Sequence, residues 1–204
     1  MGGASFRTEF LAWANAAERD PSQPSTQHPI DELLAEHHLI RKVLEAVQTE
    51  AGKIGQKKHL DLDFWEGAVE IIGNFGLLFH YAKKANHLFP AIEPFGMKEK
   101  IRALDQQQQQ DIDVTLELCN AVSEGDWETV QRLVSLYVGT KRDHMAREEQ
   151  EVLLPAKALL SSEVAQSLRH TFDAMEGPPG KTRRLYLESA LRVIRDAGLP
   201  DPRS

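Results

Sequence analysis

Apolar positions recur every three to four residues along most of the chain, the period of a helix with one face turned inward. No run alternates apolar and polar residues between turn signals, so no strand is predicted. A short amphipathic helix is predicted over 4–18, with Phe6, Phe10, Leu11 and Trp13 on its apolar side. Residues 19–29 are polar and rich in Pro and Ser, and read as a linker. Four longer helices follow, over about 30–55, 62–88, 97–123 and 126–158. The first opens with Pro29, and Asp31 and Glu32 lie in its first turn, where carboxylates favour a helix start. Pro90 predicts the end of the second. Gly125 and Asp126 separate the third from the fourth, with Asp126 as N-cap. Two more helices, about 161–175 and 180–197, flank Gly177-Pro178-Pro179-Gly180. The expected fold is all-α, an up-down-up-down four-helix bundle with extra N- and C-terminal helices. The expected division is 1–29 for the N-terminal helix and linker, 30–158 for the bundle and 159–204 for the C-terminal helical extension. The glutamine run Gln106 to Gln110 reads as helix, because the pattern continues through it.

Composition narrows the function classes. At 204 residues, one decorated domain is expected. Lys and Arg number 24 against 31 Asp and Glu, a net charge of −7, which argues against a nucleic-acid partner. A single cysteine, Cys119, cannot form an intramolecular disulfide or a multi-cysteine metal site. No signal-peptide pattern and no 18-residue apolar stretch is seen, so no membrane partner and a cytoplasmic location are expected. The C-terminal stretch KTRRLYLESALRVIRDAGL is amphipathic with a basic start. It is expected to cap the bundle, with homodimerisation or partner docking as alternatives.

The chemistry sits where polar residues interrupt apolar stripes. On the first long helix, His37 falls on the stripe of Ile30, Leu33, Leu34, Ile40, Leu44 and Val47, while His38 is expected to face water. On the second, His80 follows an apolar run, with Gly73 and Gly76 on its side and Lys84 and His87 at i+4 and i+7. On the fourth, His144 follows Val130, Leu133, Val134, Tyr137 and Thr140 and precedes Glu148 by one turn. An imidazole and a carboxylate at i and i+4 can bind one ion or simply hydrogen bond. Three histidines on three apolar stripes are another matter. Burying a polar group without a partner costs about 1–3 kcal/mol. One ion at mid-bundle would satisfy all three.

The segments EHHLIRKVLEAV, FHYAKKANHLFPAIEPFGM and HMAREEQEVLLP, in this order, resemble the signature stretches of hemerythrin-like, or HHE cation-binding, domains. The resemblance covers roughly residues 30–158. It implies a four-helix bundle around a non-haem di-iron site, held by histidines and two bridging carboxylates. The roles it implies are oxygen binding, oxygen or redox sensing, iron handling, and responses to nitric oxide or peroxide. Carried over by position, His37, His80 and His144 match ligands of the first, second and fourth helices. Glu148 matches the fourth-helix carboxylate, with Glu149 as its alternate.

This chain departs from the family pattern at three positions. Lys84 stands where the second-helix bridging glutamate belongs, Tyr81 replaces the neighbouring histidine, and Gln108 stands where the third-helix histidine is expected. Two cations about 3.5–4 Å apart need bridging carboxylates to offset their repulsion. Exchanging one bridge for lysine changes the local charge by two units in the wrong direction. Two readings stay open. In one, a single ion, iron by resemblance, binds His37, His80, His144 and Glu148 and takes a small diatomic ligand or peroxide. In the other, no metal binds, Lys84 pairs with Glu148 or Glu149, and the bundle serves as an interaction scaffold. A di-iron oxidase is a third, weaker alternative.

Overall fold

The computed structural model describes residues 10–15, 27–177 and 181–204. A short helix, α1, covers 10–15. The outer parts of the helix expected over 4–18, most of the expected linker, and 178–180 lie outside the described residues. Helix α2 runs Pro29–Lys57, α3 covers 62–92, α4 runs Lys98–Ser123 and α5 covers 127–159. The last two are α6, Ser162–Met175, and α7, Lys181–Asp196. No strand occurs among the described residues. The helical stretches agree closely with the predicted ones, and the glutamine run is helical throughout.

Local chemistry fixes the starts. The His28 ring caps α2 by accepting from the Ile30 amide. Asp126 caps α5 through the Thr129 amide, and Ser161 caps α6 through the Val164 amide. Gly125 takes φ 70° in the tight α4–α5 turn, a conformation that a side chain disfavours.

One expectation fails at Pro90. The rod continues to Ile92 rather than stopping. A wide π-helical turn, Lys84–Leu88, lies immediately before Pro90, and a second, Glu149–Leu153, immediately before Pro155. Inside a regular α-helix, proline forfeits one amide bond and crowds the carbonyl four residues back. The wider turn shifts that pairing and lets the rod pass. A longer π-helical stretch, Glu70–His80, precedes the first of these on α3. Such turns re-aim side chains and recur at functional sites.

The core is split. One apolar cluster takes Val43, Leu44 and Val47 of α2, Phe64 to Phe75 of α3, Leu118 and Val122 of α4, and Val130 to Val138 of α5. The other takes Ile30 to Leu34, Leu88 to Ile92, Ile101 and Leu104, and Val152 to Ala156. On every long helix the changeover is occupied by polar side chains: Glu36 and His37, His80 and Lys84, Gln108 and Asp111, His144 and Glu148, all buried. A polar layer thus crosses the bundle between two dry halves. Helix α7 packs Leu187, Ala190, Val193 and Ile194 on the first half, and α6 packs Leu168 and Phe172 on the second. The C-terminal helices therefore cover the bundle, as expected for a cap. Among the described residues, no helix is long and apolar enough to cross a membrane.

Candidate metal centre

His37, His80 and Glu148 come together in the polar layer. One ligand-capable atom from each lies within 4.8 Å of the other two. The His37 and His80 ring centres are 4.8 Å apart. His37 Nε2 and His80 Nε2 are buried without a hydrogen bond, as is Glu148 Oε1. A cavity of about 30 Å³ touches all three, together with Lys84, Gln108, Lys141 and His144. The rest of its wall includes Ile40, Val43, Leu44, Ile71, Ile72 and Met145.

The outward ring nitrogens are held by carboxylates. His37 Nδ1 lies 2.8 Å from Glu149 Oε1, which Arg41 also grips at 2.8 Å. His80 Nδ1 lies 2.6 Å from Glu36 Oε2. A carboxylate accepts, so Nδ1 donates in both pairs; in neutral His80 this leaves the Nε2 lone pair facing inward, while His37 Nε2 lies 3.4 Å from Glu148 Oε2. That arrangement orients imidazoles as metal ligands and makes them more basic. His144 is placed less directly. Its Nε2 is 3.7 Å from Glu148 Oε2 and its Nδ1 is 3.4 Å from Asp111 Oδ2, close but not within the three-residue group.

Lys84 reaches into the same layer and donates to Glu148 Oε2 at 2.6 Å. Of the two predicted partners it takes Glu148. Glu149 turns to the far side of His37, where it orients a ring rather than facing the cavity. Burial alone would push the Glu148 carboxyl up, but Lys84 and the His37 contact hold it well below the usual carboxylate range. Burial pushes His80 well below the usual histidine value, helped by Lys84, and lowers His144 to about 3. Both rings are therefore neutral at pH 7, as ligands must be.

These shifts set an acid limit for the metal-free protein. Below the ordinary value of 6.5, the unfolded chain protonates these two histidines while the fold keeps them neutral. Stability is therefore lost as pH falls from about 6.5, and Glu148 adds to the loss below 4.5. Burial raises Asp111, which opposes the trend at the acid end. Urea midpoints at pH 7.5, 6.5 and 5.5 should fall in that order, and less steeply in His144→Asn. A flat profile in the unsubstituted protein would contradict the assignment.

Several expectations need correction or completion. His38 faces water only in part. Its ring packs 4.9 Å from that of Phe10, because α1 lies over this stretch of α2. Gln108 lines the cavity, as its position predicts, but offers an amide instead of an imidazole. Tyr81 donates to Asp105 at 3.2 Å, outside the layer, whereas Tyr137 is buried on the cavity wall. Asp111, Glu36 and Lys83 were not singled out from sequence. Asp111 follows Gln108 by three residues on the same stripe, a signal that was readable.

A second acidic group, Glu32, Glu36 and Glu176, also has cation-ligand spacing. Its interior is filled by protein cations. Lys83 Nζ lies 2.6 Å from Glu32 Oε1, 2.5 Å from Glu36 Oε1 and 2.9 Å from Glu176 Oε1. Arg183 adds contacts at 3.0 Å to Glu32 and 2.9 Å to Glu176.

The family model described as the hemerythrin HHE cation-binding domain matches residues 28–155. No curated protein and no solved structure matches the chain. The match reaches all four long rods and includes every residue of the polar layer. The chain belongs to the hemerythrin HHE cation-binding domain family.

Proposed function

We propose that this protein binds a single non-haem iron ion in the polar layer and uses it to bind or sense oxygen, nitric oxide or peroxide. The observation that carries the reading is that His37, His80 and Glu148 each bring a ligand-capable atom within 4.8 Å of the other two beside a cavity they line, both Nε2 atoms being buried without a hydrogen bond. Leaving such atoms unpaired is costly, and one divalent ion satisfies all three. His37, His80 and Glu148 would hold it, with His144 as the fourth candidate. Iron in such a site supplies Lewis acidity and a redox couple.

The chain's own residues do the rest. Glu149 and Glu36 fix the two rings. Lys84, ion-paired with Glu148, puts an ammonium group where the family pattern places a bridging carboxylate, so a second ion is repelled rather than held. Ile40, Val43, Leu44, Ile71, Ile72 and Met145 give the cavity an apolar side. The cavity is small, about 30 Å³, which limits any ligand of a bound ion to a few atoms.

A second reading rests on the Lys84–Glu148 bond, which already balances the carboxylate without metal. On it, the layer is a structural ion-pair network and the bundle an interaction scaffold. Elemental analysis after iron-supplemented expression separates the two. The iron reading expects close to one equivalent per chain, and none in His37→Ala or His80→Ala. Less than a tenth of an equivalent of any transition metal would leave the scaffold.

A further inference from the structure

The matched family domain ends at residue 155, yet the buried ion-pair network continues past it. Glu176 closes α6 and Arg183 lies in the first turn of α7, and both side chains are buried. They meet Lys83 and Glu32, and Lys83 in turn grips Glu36, the carboxylate on His80 Nδ1. An unbroken series of charge-assisted hydrogen bonds thus runs from α7 to a candidate ligand. Its links are Arg183 to Glu176 at 2.9 Å, Glu176 to Lys83 at 2.9 Å, Lys83 to Glu36 at 2.5 Å and Glu36 to His80 at 2.6 Å.

Geometry leaves this series little freedom. Lys83 is fully buried, and its ammonium sits 4.6 Å from the Phe79 ring centre and 5.5 Å from that of Phe172 of α6. The Arg183 guanidinium lies 5.6 Å from the Trp13 ring centre of α1. Without α6 and α7, Lys83 would keep only Glu32 and Glu36 and would be open on the side that Phe172 and Glu176 now cover.

We propose that Arg183 and Glu176 are positioning residues for the metal centre: through Lys83 they fix the Glu36 carboxylate, and Glu36 fixes the His80 ring with Nε2 facing the cavity. The C-terminal extension is then part of the site. Displacing α7 loosens the His80 ring and weakens metal binding without touching any ligand. The inference rests on the metal reading above for its affinity arm, but not for its tautomer arm.

The test uses the full chain and two readouts. Long-range ¹H–¹⁵N spectra of metal-free protein report which His80 nitrogen carries the proton. Titration calorimetry with Zn²⁺ alone reports affinity. The unsubstituted chain should show His80 protonated at Nδ1. Arg183→Met should give a mixed or inverted His80 tautomer and bind Zn²⁺ about tenfold more weakly, the low end for losing an outer partner of a metal-bound histidine. Arg183→Lys should recover part of both effects. A folded Arg183→Met protein with an unchanged tautomer and unchanged affinity would overturn the proposal. So would an unsubstituted chain protonated at His80 Nε2, a result that needs no variant. Should Arg183→Met not fold, Glu176→Gln carries the same two expectations. If the unsubstituted chain takes up neither Zn²⁺ nor iron, the metal reading fails, and the tautomer comparison still decides whether the extension sets the ring.

Discussion

Glu148→Leu should destabilise the metal-free protein by about 3–5 kcal/mol, the usual cost of stranding one member of a buried ion pair. Glu148 is fully buried and is the partner Lys84 holds at 2.6 Å. Without it the Lys84 ammonium faces His37, His80, His144, Gln108 and the Lys141 ammonium across the cavity, with Asp111, a carboxylate close enough to feel Lys84, already held by Lys141. Lys84→Met combined with Glu148→Leu should recover most of the loss, because replacing both members of a buried pair by apolar groups is often neutral. Urea unfolding of the single and double variants measures both values. A Glu148→Leu protein within about 1 kcal/mol of the parent would mean that Lys84 finds another partner or leaves the layer. Neither variant should bind iron, since both lack the carboxylate.

Lys84→Glu should have the opposite effect on metal content. It removes a positive charge and adds a negative one beside Glu148, a change of two units. Two adjacent buried carboxylates repel, so the metal-free variant should be less stable than the parent. The same pair can bridge two cations. Iron content should rise from about one to about two equivalents per chain, with a new near-ultraviolet to visible absorption band. A variant that folds with iron and still holds one equivalent would show that Gln108, which offers no imidazole on α4, limits nuclearity more than Lys84 does.

The bundle was legible because its four long helices carry clean apolar stripes, with strong starts at Pro29 and Asp126. The polar layer was legible for the same reason, since His37, His80, His144 and Glu148 each interrupt a stripe at one level. What escaped was set by elements that stripes on the four rods do not describe. Lys83 looks like a surface lysine on a four-helix scheme, and it is buried because α6 and α7 cover that side of α3. Glu36 precedes His37 by one position, off the stripe that His37 interrupts, and meets His80 on the neighbouring rod. His38 is half-buried rather than fully exposed because Phe10 of α1 packs against it. Passage of the chain through Pro90 depends on a π-helical turn, and nothing in a 3.6-residue period announces one.

The central claim is that one ion belongs in this layer, on His37, His80 and Glu148. Anomalous diffraction at the iron edge, from crystals of protein expressed with added iron, tests it most directly. The account predicts a single peak per chain, within bonding distance of His37 Nε2, His80 Nε2 and a Glu148 oxygen, with Lys84 beside it. Two peaks in the layer, or none with the Lys84–Glu148 bond intact, would contradict it.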